Sequence, residues 1–208
     1  MSTATLPSAA YDNKIYAKFS KKNLEKKKIN KNKFQGEFDL IEKEKMMLVS
    51  ITTPLTEKNG FDVFLKILPG LENLNLQIAL LGVGTEKFQK PILNFSKKNP
   101  GKVAILEESD ENLRKLHAAA DVEIFLTKNA ATENEIKNAL AYGSVPIATD
   151  NFSKFCKNYN PNLETGNAFL FDENNFFSFF AALVRAAEHF RFPYDWKTIC
   201  RNAIDTKI

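Results

Sequence analysis

The chain has 208 residues, of which 44% are hydrophobic and 26% are charged, a length and balance that suit one globular domain with a sizeable core. No apolar run approaches the ~20 residues of a membrane span, and residues 1–10 lack the apolar stretch of a signal peptide. The two cysteines, Cys156 and Cys200, have no metal-type spacing and favour a reducing, cytoplasmic setting. We therefore expect no membrane partner, metal site or cofactor.

The net charge of +4 is unevenly distributed, because residues 14–33 contain nine lysines and one acid, Glu25. One interpretation is an arm that binds nucleic acid. The other is a solvated basic helix or linker. Only Lys18 has an aromatic neighbour, Phe19, in an arrangement that suggests base stacking. The second interpretation is favoured, and nucleic acid is not expected as a partner.

Hydrophobic periodicity predicts short apolar strands that alternate with amphipathic helices. The first helix is predicted over residues 21–35, with Gly36 as its stop and a strand over 46–52 after it. In chain order there follow a helix over 60–71, a strand over 76–83, a helix over 85–98, a strand over 103–106, a helix capped by Ser109 or Asp110, a strand over 122–126, a helix over 132–142 ended by Gly143, strands over 145–148 and 168–171, and helices over 174–190 and 193–203.

This alternation is typical of βαβ units, and it predicts an α/β fold with a Rossmann-like, doubly wound parallel sheet. We expect residues 1–40 to form a basic linker and helix, and residues 41–208 to form the Rossmann-like domain. Folds of this kind bind ligands at the carboxyl ends of their strands. A functional site is therefore expected in the loops that follow the strands.

Several motifs in a fixed order point to one family. They are the linker-like stretch 16–31, the helix exit 34–40, the loop 54–62, Leu80-Leu81-Gly82-Val83-Gly84, Ala119-Ala120-Asp121, the segment 139–147 with its Tyr142-Gly143, and Thr165-Gly166-Asn167-Ala168-Phe169-Leu170-Phe171. Together these motifs resemble the C-terminal half of bacterial glycogen synthases and plant starch synthases, which are family 5 glycosyltransferases of the GT-B fold. The resemblance covers residues from about 14 to 205.

The resemblance implies a function in glucan synthesis. The family transfers glucose from ADP-glucose to an α-1,4-glucan, in a cleft between two Rossmann domains. The family's N-terminal domain, with its Lys-Thr-Gly-Gly-Leu motif, has no counterpart in these 208 residues. Half of such a cleft cannot orient donor and acceptor, so the chain is not expected to catalyse transfer alone. The expected partners are an N-terminal glycosyltransferase half or a glucan, with weak binding of ADP or ADP-glucose at most.

The resemblance also implies where a nucleotide sugar would bind. The family has an Arg and a Lys in the loop after the first strand, and Pro54 and Asn59 stand there. Lys58 is adjacent and could replace the missing cation, although an exposed loop lysine is the commoner case. The candidate nucleotide-sugar-binding residues are Lys58, Gly60 and Thr132, and no catalytic residue is predicted.

The donor-site motifs are degenerate. The family's donor-contacting Glu falls on Ala130, and Thr132 with Glu135 predicts a capping box that satisfies the helix amides from within. Glu133 adds negative charge where the family binds a pyrophosphate. Glu108 or Ser109 replaces a Tyr that stacks on adenine. Residues 149–155 also lack the glycines of a Thr-Gly-Gly-Leu turn.

Three functions are compatible with the sequence. The chain is a glycosyltransferase domain that works with a separate N-terminal half, a non-catalytic pseudoenzyme or regulatory and scaffold partner in glucan metabolism, or an unrelated basic binding module. His117 and His189 have no catalytic partners at a recognisable spacing, and we interpret both as structural.

Overall fold

The computed structural model describes residues 5–82, 84–127, 133–173 and 175–206. Its six strands form one parallel sheet in the order β3-β2-β1-β4-β5-β6. The strands are β1 Met47–Ile51, β2 Leu76–Leu81, β3 Val103–Leu106, β4 Val122–Phe125, β5 Val145–Thr149 and β6 Phe169–Phe171. The order reverses between β1 and β4, which is the topological switch point of a doubly wound sheet. The predicted Rossmann-like fold is confirmed.

Seven α-helices cover the sheet. They are α1 Lys27–Glu37, α2 Phe61–Ile67, α3 Glu86–Lys98, α4 Asp110–Ala119, α5 Glu133–Ala141, α6 Phe176–Phe190 and α7 Pro193–Ile204, in the described part of the chain. Short 3₁₀ helices occupy Lys21–Lys26, Leu68–Asn73 and Asp150–Phe152. Every predicted strand and helix is present, but the helices predicted over residues 21–35 and 60–71 each divide into a 3₁₀ helix and an α-helix, and the other ends differ by one or two residues. None of the described helices is long and apolar enough to cross a membrane.

The sheet is buried on both faces. In β1, Met47 and Val49 belong to the largest hydrophobic cluster, whereas Leu48 between them belongs to a second cluster on the other face. In β2, Leu80 belongs to the largest cluster and Leu81 belongs to the second. Successive side chains of a strand point to opposite faces, so a strand that is covered on both sides must be apolar throughout.

Two predicted helix ends are confirmed by their hydrogen bonds. The Ser109 hydroxyl accepts a bond from the Asn112 amide at 3.0 Å, and it therefore caps α4. Gly143 has a φ of +60° beyond the end of α5. The Gly143 amide donates to the Leu140 carbonyl, and the next amide donates to the Ala139 carbonyl, as in a Schellman motif.

The stop predicted at Gly36 is wrong, because α1 continues to Glu37. The Phe38 amide donates to the carbonyl of Phe34, whose ring is fully buried against the sheet. Burying a Phe side chain is worth about 1.5–3 kcal/mol. A glycine inside a helix costs only about 1 kcal/mol, so packing overrides the local signal.

The lysine-rich segment is packed into the fold, and the interpretation of a wholly solvated helix is wrong for two of its nine lysines. The Lys27 ammonium is buried and donates to three backbone carbonyls, two at the end of α4 and one after α5. The Lys31 ammonium is buried too and contacts the Asp121 carboxylate. Phe19 lies in the largest cluster. The domain boundary near residue 40 stays a prediction.

Candidate functional site

The loop after β1 meets the end of β4 at the switch point, which is where the sequence predicted a site. The Thr127 hydroxyl donates to the Lys58 carbonyl at 3.3 Å. Gly60 has a φ of +77°, and a Cβ there would lie 2.6 Å from the Thr127 methyl and 2.9 Å from Leu126 Cβ. Only glycine allows this close approach. Lys58 and Gly60 therefore lie together, with the Lys58 side chain exposed, whereas Thr132 lies outside the described residues.

The same loop is held by its own hydrogen bonds. The Asn59 side-chain amide donates to the Pro54 carbonyl at 2.8 Å, and the Asn59 backbone amide donates to the Thr56 carbonyl. Asn59 and Pro54 occupy the two positions at which the resemblance implies basic residues. A neutral amide and a proline replace that pair of cations and close the loop on itself.

A carboxylate covers the neighbouring turn after β2. Gly82 has a φ of +84°, and a Cβ there would lie 2.3 Å from Glu108 Oε1. The Glu108 side chain therefore rests directly on the Gly82 backbone. Glu108 and Ser109 are the two residues at which the resemblance implies a ring stacked on adenine, and Ser109 is engaged as the cap of α4.

The start of α5 is acidic and engaged by lysines. Glu133 and Glu135 both lie in its first turn. Glu133 pairs with Lys154 at 3.4 Å and with Lys137 at 3.9 Å. Acids stabilise a helix N-terminus, but they also repel an anion that approaches it. The capping box expected from Thr132, and the Ala130 position, lie outside the described residues.

The segment after β5 folds inward. Residues Asp150–Phe152 form a 3₁₀ helix, and Phe152 is buried with its ring centroid 6.3 Å from that of Phe125. Asn151 donates to the Glu173 carboxylate at 2.6 Å. A turn anchored by a buried aromatic ring cannot present the flexible glycine backbone that the resemblance implies there.

The charges at this edge do not favour a diphosphate. Glu108, Glu133 and Asp150 follow or adjoin three of the strand ends. Lys87 lies at this edge but donates to Glu57 at 2.8 Å, and this hydrogen bond lowers the pKa of the Glu57 carboxyl. Transfer from a nucleoside diphosphate needs fixed positive groups facing the leaving pyrophosphate. Lys87 is therefore already paired with an acid, whereas the Lys58 side chain at the same edge is exposed.

A buried polar cluster that no sequence motif predicts lies beneath the switch point. Glu123 of β4 accepts a hydrogen bond from the Thr52 hydroxyl at 2.6 Å and lies 2.8 Å from His117 Nδ1. All three side chains are buried. The one signal in the sequence is a Glu inside an apolar strand. The arrangement joins the end of β1, β4 and α4, and the interpretation of His117 as structural stays a prediction.

Comparison with protein sequences places the chain beside glycogen synthases, although no family model matches it. It is 30% identical over 196 residues to the glycogen synthase of Fervidobacterium nodosum, 28% identical over 203 residues to that of Pseudothermotoga lettingae, and 29% identical over 199 residues to glycogen synthase 1 of Synechocystis. These alignments cover 93–96% of the chain and 40–42% of the relatives. The chain thus spans less than half the length of the curated relatives it matches.

Solved structures show the same fold. The catalytic domain of starch synthase IV from Arabidopsis thaliana, bound to ADP and acarbose, matches 96% of the chain with a TM-score of 0.83 at 23% identity, over 43% of its own length. A glycosyltransferase from Rickettsia africae also matches 96% of the chain, with a TM-score of 0.69 at 17% identity. With the sequence alignments, these matches show that the chain is glycogen- and starch-synthase-like and is similar to the C-terminal domain of family 5 glycosyltransferases, with the fold of that half of the GT-B architecture.

Proposed function

We propose that this domain belongs to a glucan-synthesising glycosyltransferase and lies on the nucleotide-sugar side of its cleft, without transferring glucose by itself. The donor of that lineage is ADP-glucose and the acceptor is an α-1,4-glucan. Support comes from the alignment over nearly the whole chain and from the starch synthase structure that contains ADP and acarbose. A reducing cytoplasmic setting is part of this proposal, in keeping with two buried free thiols.

One observation carries the proposal that the isolated domain binds its donor weakly. Several polar groups in the described part of the carboxyl edge are satisfied by one another, as in the bond from Asn59 to Pro54 and the pair between Glu133 and Lys154. A diphosphate would have to break these contacts and approach exposed carboxylates. Lys58 and Gly60 stay candidate contacts, and so does Thr132.

Calorimetric titration of the 208-residue chain with ADP and with ADP-glucose tests this proposal. We expect no saturable heat below about 1 mM ligand, which corresponds to less than about 4 kcal/mol of binding free energy. Saturation at micromolar ADP would show that the site is intact, and it would contradict the proposed weakness.

Neutralising the acidic edge gives a sharper test. In a Glu108→Gln and Glu133→Gln double variant, two carboxylates are removed and Lys154 is released from its pair with Glu133. We expect ADP affinity to rise about tenfold, or 1.4 kcal/mol. The matched control is Glu72→Gln, an exposed acid before β2 at the other edge of the sheet. Equal ADP affinity in all three proteins would show that these carboxylates do not limit binding.

A second candidate function is that of a non-catalytic partner in glucan metabolism, and the same acidic edge favours it. The two candidates differ when an N-terminal glycosyltransferase half is supplied. Mixing the chain with the N-terminal half of the Fervidobacterium nodosum glycogen synthase, with ADP-glucose and a glucan primer, measures transfer directly. Glucan elongation that needs both components supports the glycosyltransferase. A stable complex without elongation supports the non-catalytic partner.

A further inference from the structure

A cavity of about 540 Å³ lies at the opposite edge of the sheet from the candidate site. Asp121 is part of its wall and immediately precedes β4, whereas Thr127 of the candidate site follows the same strand. Asp121 and Thr127 are six positions apart in the chain, which is about 20 Å at the rise of a β-strand. The volume falls in the range of small-molecule sites, roughly 300–1,000 Å³. The two regions can therefore be tested independently.

One wall of the cavity is aromatic. Phe190 at the end of α6 and Trp196 of α7 both line it, and their rings meet edge to face with centroids 5.2 Å apart. The Lys31 ammonium lies 4.6 Å from the centroid of the Phe190 ring. Pro193 and Leu24 extend the apolar lining. Such a wall favours a planar, apolar group.

The deep cations of the cavity are already satisfied. The Lys27 ammonium donates to three carbonyls, and the Lys31 ammonium contacts Asp121 and two carbonyls. Each ammonium has three donors, so both sets are fully used. Lys27 and Lys31 therefore have no N–H donor left for a ligand. The charge of a bound ligand would instead interact with the exposed lysines at the rim of the cavity.

The rim has an excess of positive charge. Lys28 pairs with Glu44, but Lys45 and Lys197 form no ion pair with any residue that the structure describes. Both line the cavity and are exposed. In total, six basic side chains line the cavity against three acidic ones. A ligand with an anionic group at the rim would complement this charge.

We propose that this cavity binds a small organic anion with a planar apolar body. The planar part lies against Phe190 and Trp196, and the anionic carboxylate or phosphate group lies at the rim beside Lys45 and Lys197. The ligand would contact α1, α6 and α7 together, so its binding would hold the lysine-rich segment against the last two helices. This inference does not depend on the proposed glycosyltransferase function.

Trp196 is the single tryptophan of the chain, so its fluorescence reports on this cavity directly. The probes are phenyl phosphate, benzoate, inorganic phosphate and benzyl alcohol, each titrated into the 208-residue chain. We expect a saturable change in Trp196 emission with phenyl phosphate or benzoate at or below about 1 mM. The two probes distinguish a phosphate from a carboxylate. Inorganic phosphate and benzyl alcohol are expected to bind at least about tenfold more weakly.

Charge reversal at the rim identifies the site. A Lys45→Glu and Lys197→Glu double variant is expected to weaken binding of the better probe by about tenfold or more. The matched control is Lys97→Glu with Lys98→Glu, which changes the net charge equally at the exposed end of α3. Both variants change exposed side chains, and an unchanged circular dichroism spectrum verifies the fold.

Three results would overturn the proposal. These are the absence of saturation up to about 10 mM of either aromatic anion, equal weakening by the rim and control variants, and equal affinity for inorganic phosphate or benzyl alcohol. ADP is included as a fifth probe. ADP binding that the rim variant abolishes supports this cavity, whereas ADP binding that only the Glu108 and Glu133 variant alters belongs to the carboxyl edge.

Discussion

Lys27 shows how burial changes the chemistry of a single side chain. Desolvation lowers the pKa of its ammonium to about 8, and the nearby Lys31 charge acts in the same direction. In the unfolded chain a lysine keeps its proton up to about pH 10.4. Between about pH 8 and 10 the unfolded state therefore binds more protons than the folded state. The contribution of Lys27 to the free energy of unfolding must rise with pH across this window.

A Lys27→Met variant tests this linkage. We expect urea denaturation to show that the difference in unfolding free energy, wild type minus variant, increases as the pH rises from about 8 to 10. The variant also removes the donor of three buried carbonyls, which costs roughly 1–3 kcal/mol for each hydrogen bond that the wild-type side chain makes at the pH of the measurement. The control is Lys28→Met, whose ammonium is exposed. Parallel pH curves for wild type and Lys27→Met would contradict the lowered pKa.

The two cysteines illustrate the opposite shift. Burial raises the pKa of the Cys156 and Cys200 thiols to about 12. Because only the thiolate is nucleophilic, both should react very slowly with a disulfide reagent in the folded protein at pH 8. We expect two thiols to react at the rate of free glutathione once the chain is unfolded in guanidinium chloride. Rapid reaction of either thiol before unfolding would contradict this assignment.

At the scale of elements, Gly60 is the clearest case in which the absence of a side chain lets two elements pack together. These are the loop after β1 and the end of β4. A Gly60→Ala change would place a methyl group 2.6 Å from Thr127 and impose a φ of +77° on a non-glycine residue. We expect a loss of about 2–4 kcal/mol in chemical denaturation, since strain and overpacking each cost about 1–3 kcal/mol.

Gly36→Ala is the matched control for Gly60→Ala. Gly36 lies inside α1 without a positive φ, and its added Cβ would meet only the flexible end of the Glu42 side chain at 3.1 Å. We expect this variant to be more stable than wild type by about 0.5–1 kcal/mol. If the two variants shifted stability equally, close backbone packing at Gly60 would not explain its role.

The elements that sequence could predict are those whose signal is local. Apolar runs bounded by turn residues give the strands, and a Ser or Gly at a helix end gives the caps at Ser109 and Gly143. The failures involve distant partners. Lys27 is buried because three carbonyls from other elements surround it, and Glu123 is buried because His117 and Thr52 contact it. No periodicity within one segment contains those contacts.

At the scale of the whole molecule, the candidate site too could be predicted from the sequence only in part. Its position, with Lys58 and Gly60 at the switch point, follows from strand order and could be inferred from the sequence. Its chemistry could be inferred only in part. The acidic start of α5 is visible in the sequence, whereas the bond from Asn59 to Pro54 and the contact of Glu108 with Gly82 depend on loop conformation.

The last prediction concerns the predicted domain boundary near residue 40. Residues before this boundary pack into the same cores as the residues after it. A chain of residues 41–208 would remove Phe19 and Phe34 from the cores and leave Asp121 without Lys31. Losing a buried Phe costs about 3–5 kcal/mol, and leaving one member of a buried ion pair costs a similar amount. These losses together reach the whole stability of a typical domain, about 5–15 kcal/mol. We therefore expect residues 41–208 to lack a cooperative thermal transition.

Near-ultraviolet circular dichroism during heating measures this directly, since it follows the packing of aromatic side chains. The control is a chain of residues 5–208, which keeps all of the contacts named above and should melt like the full chain. A cooperative transition for residues 41–208 at the temperature of the control would mean that the lysine-rich segment is a separable linker. Loss of the transition in residues 41–208 alone would instead mean that Phe19, Phe34 and Lys31 belong to the domain, and that any partner must bind a domain which already includes them.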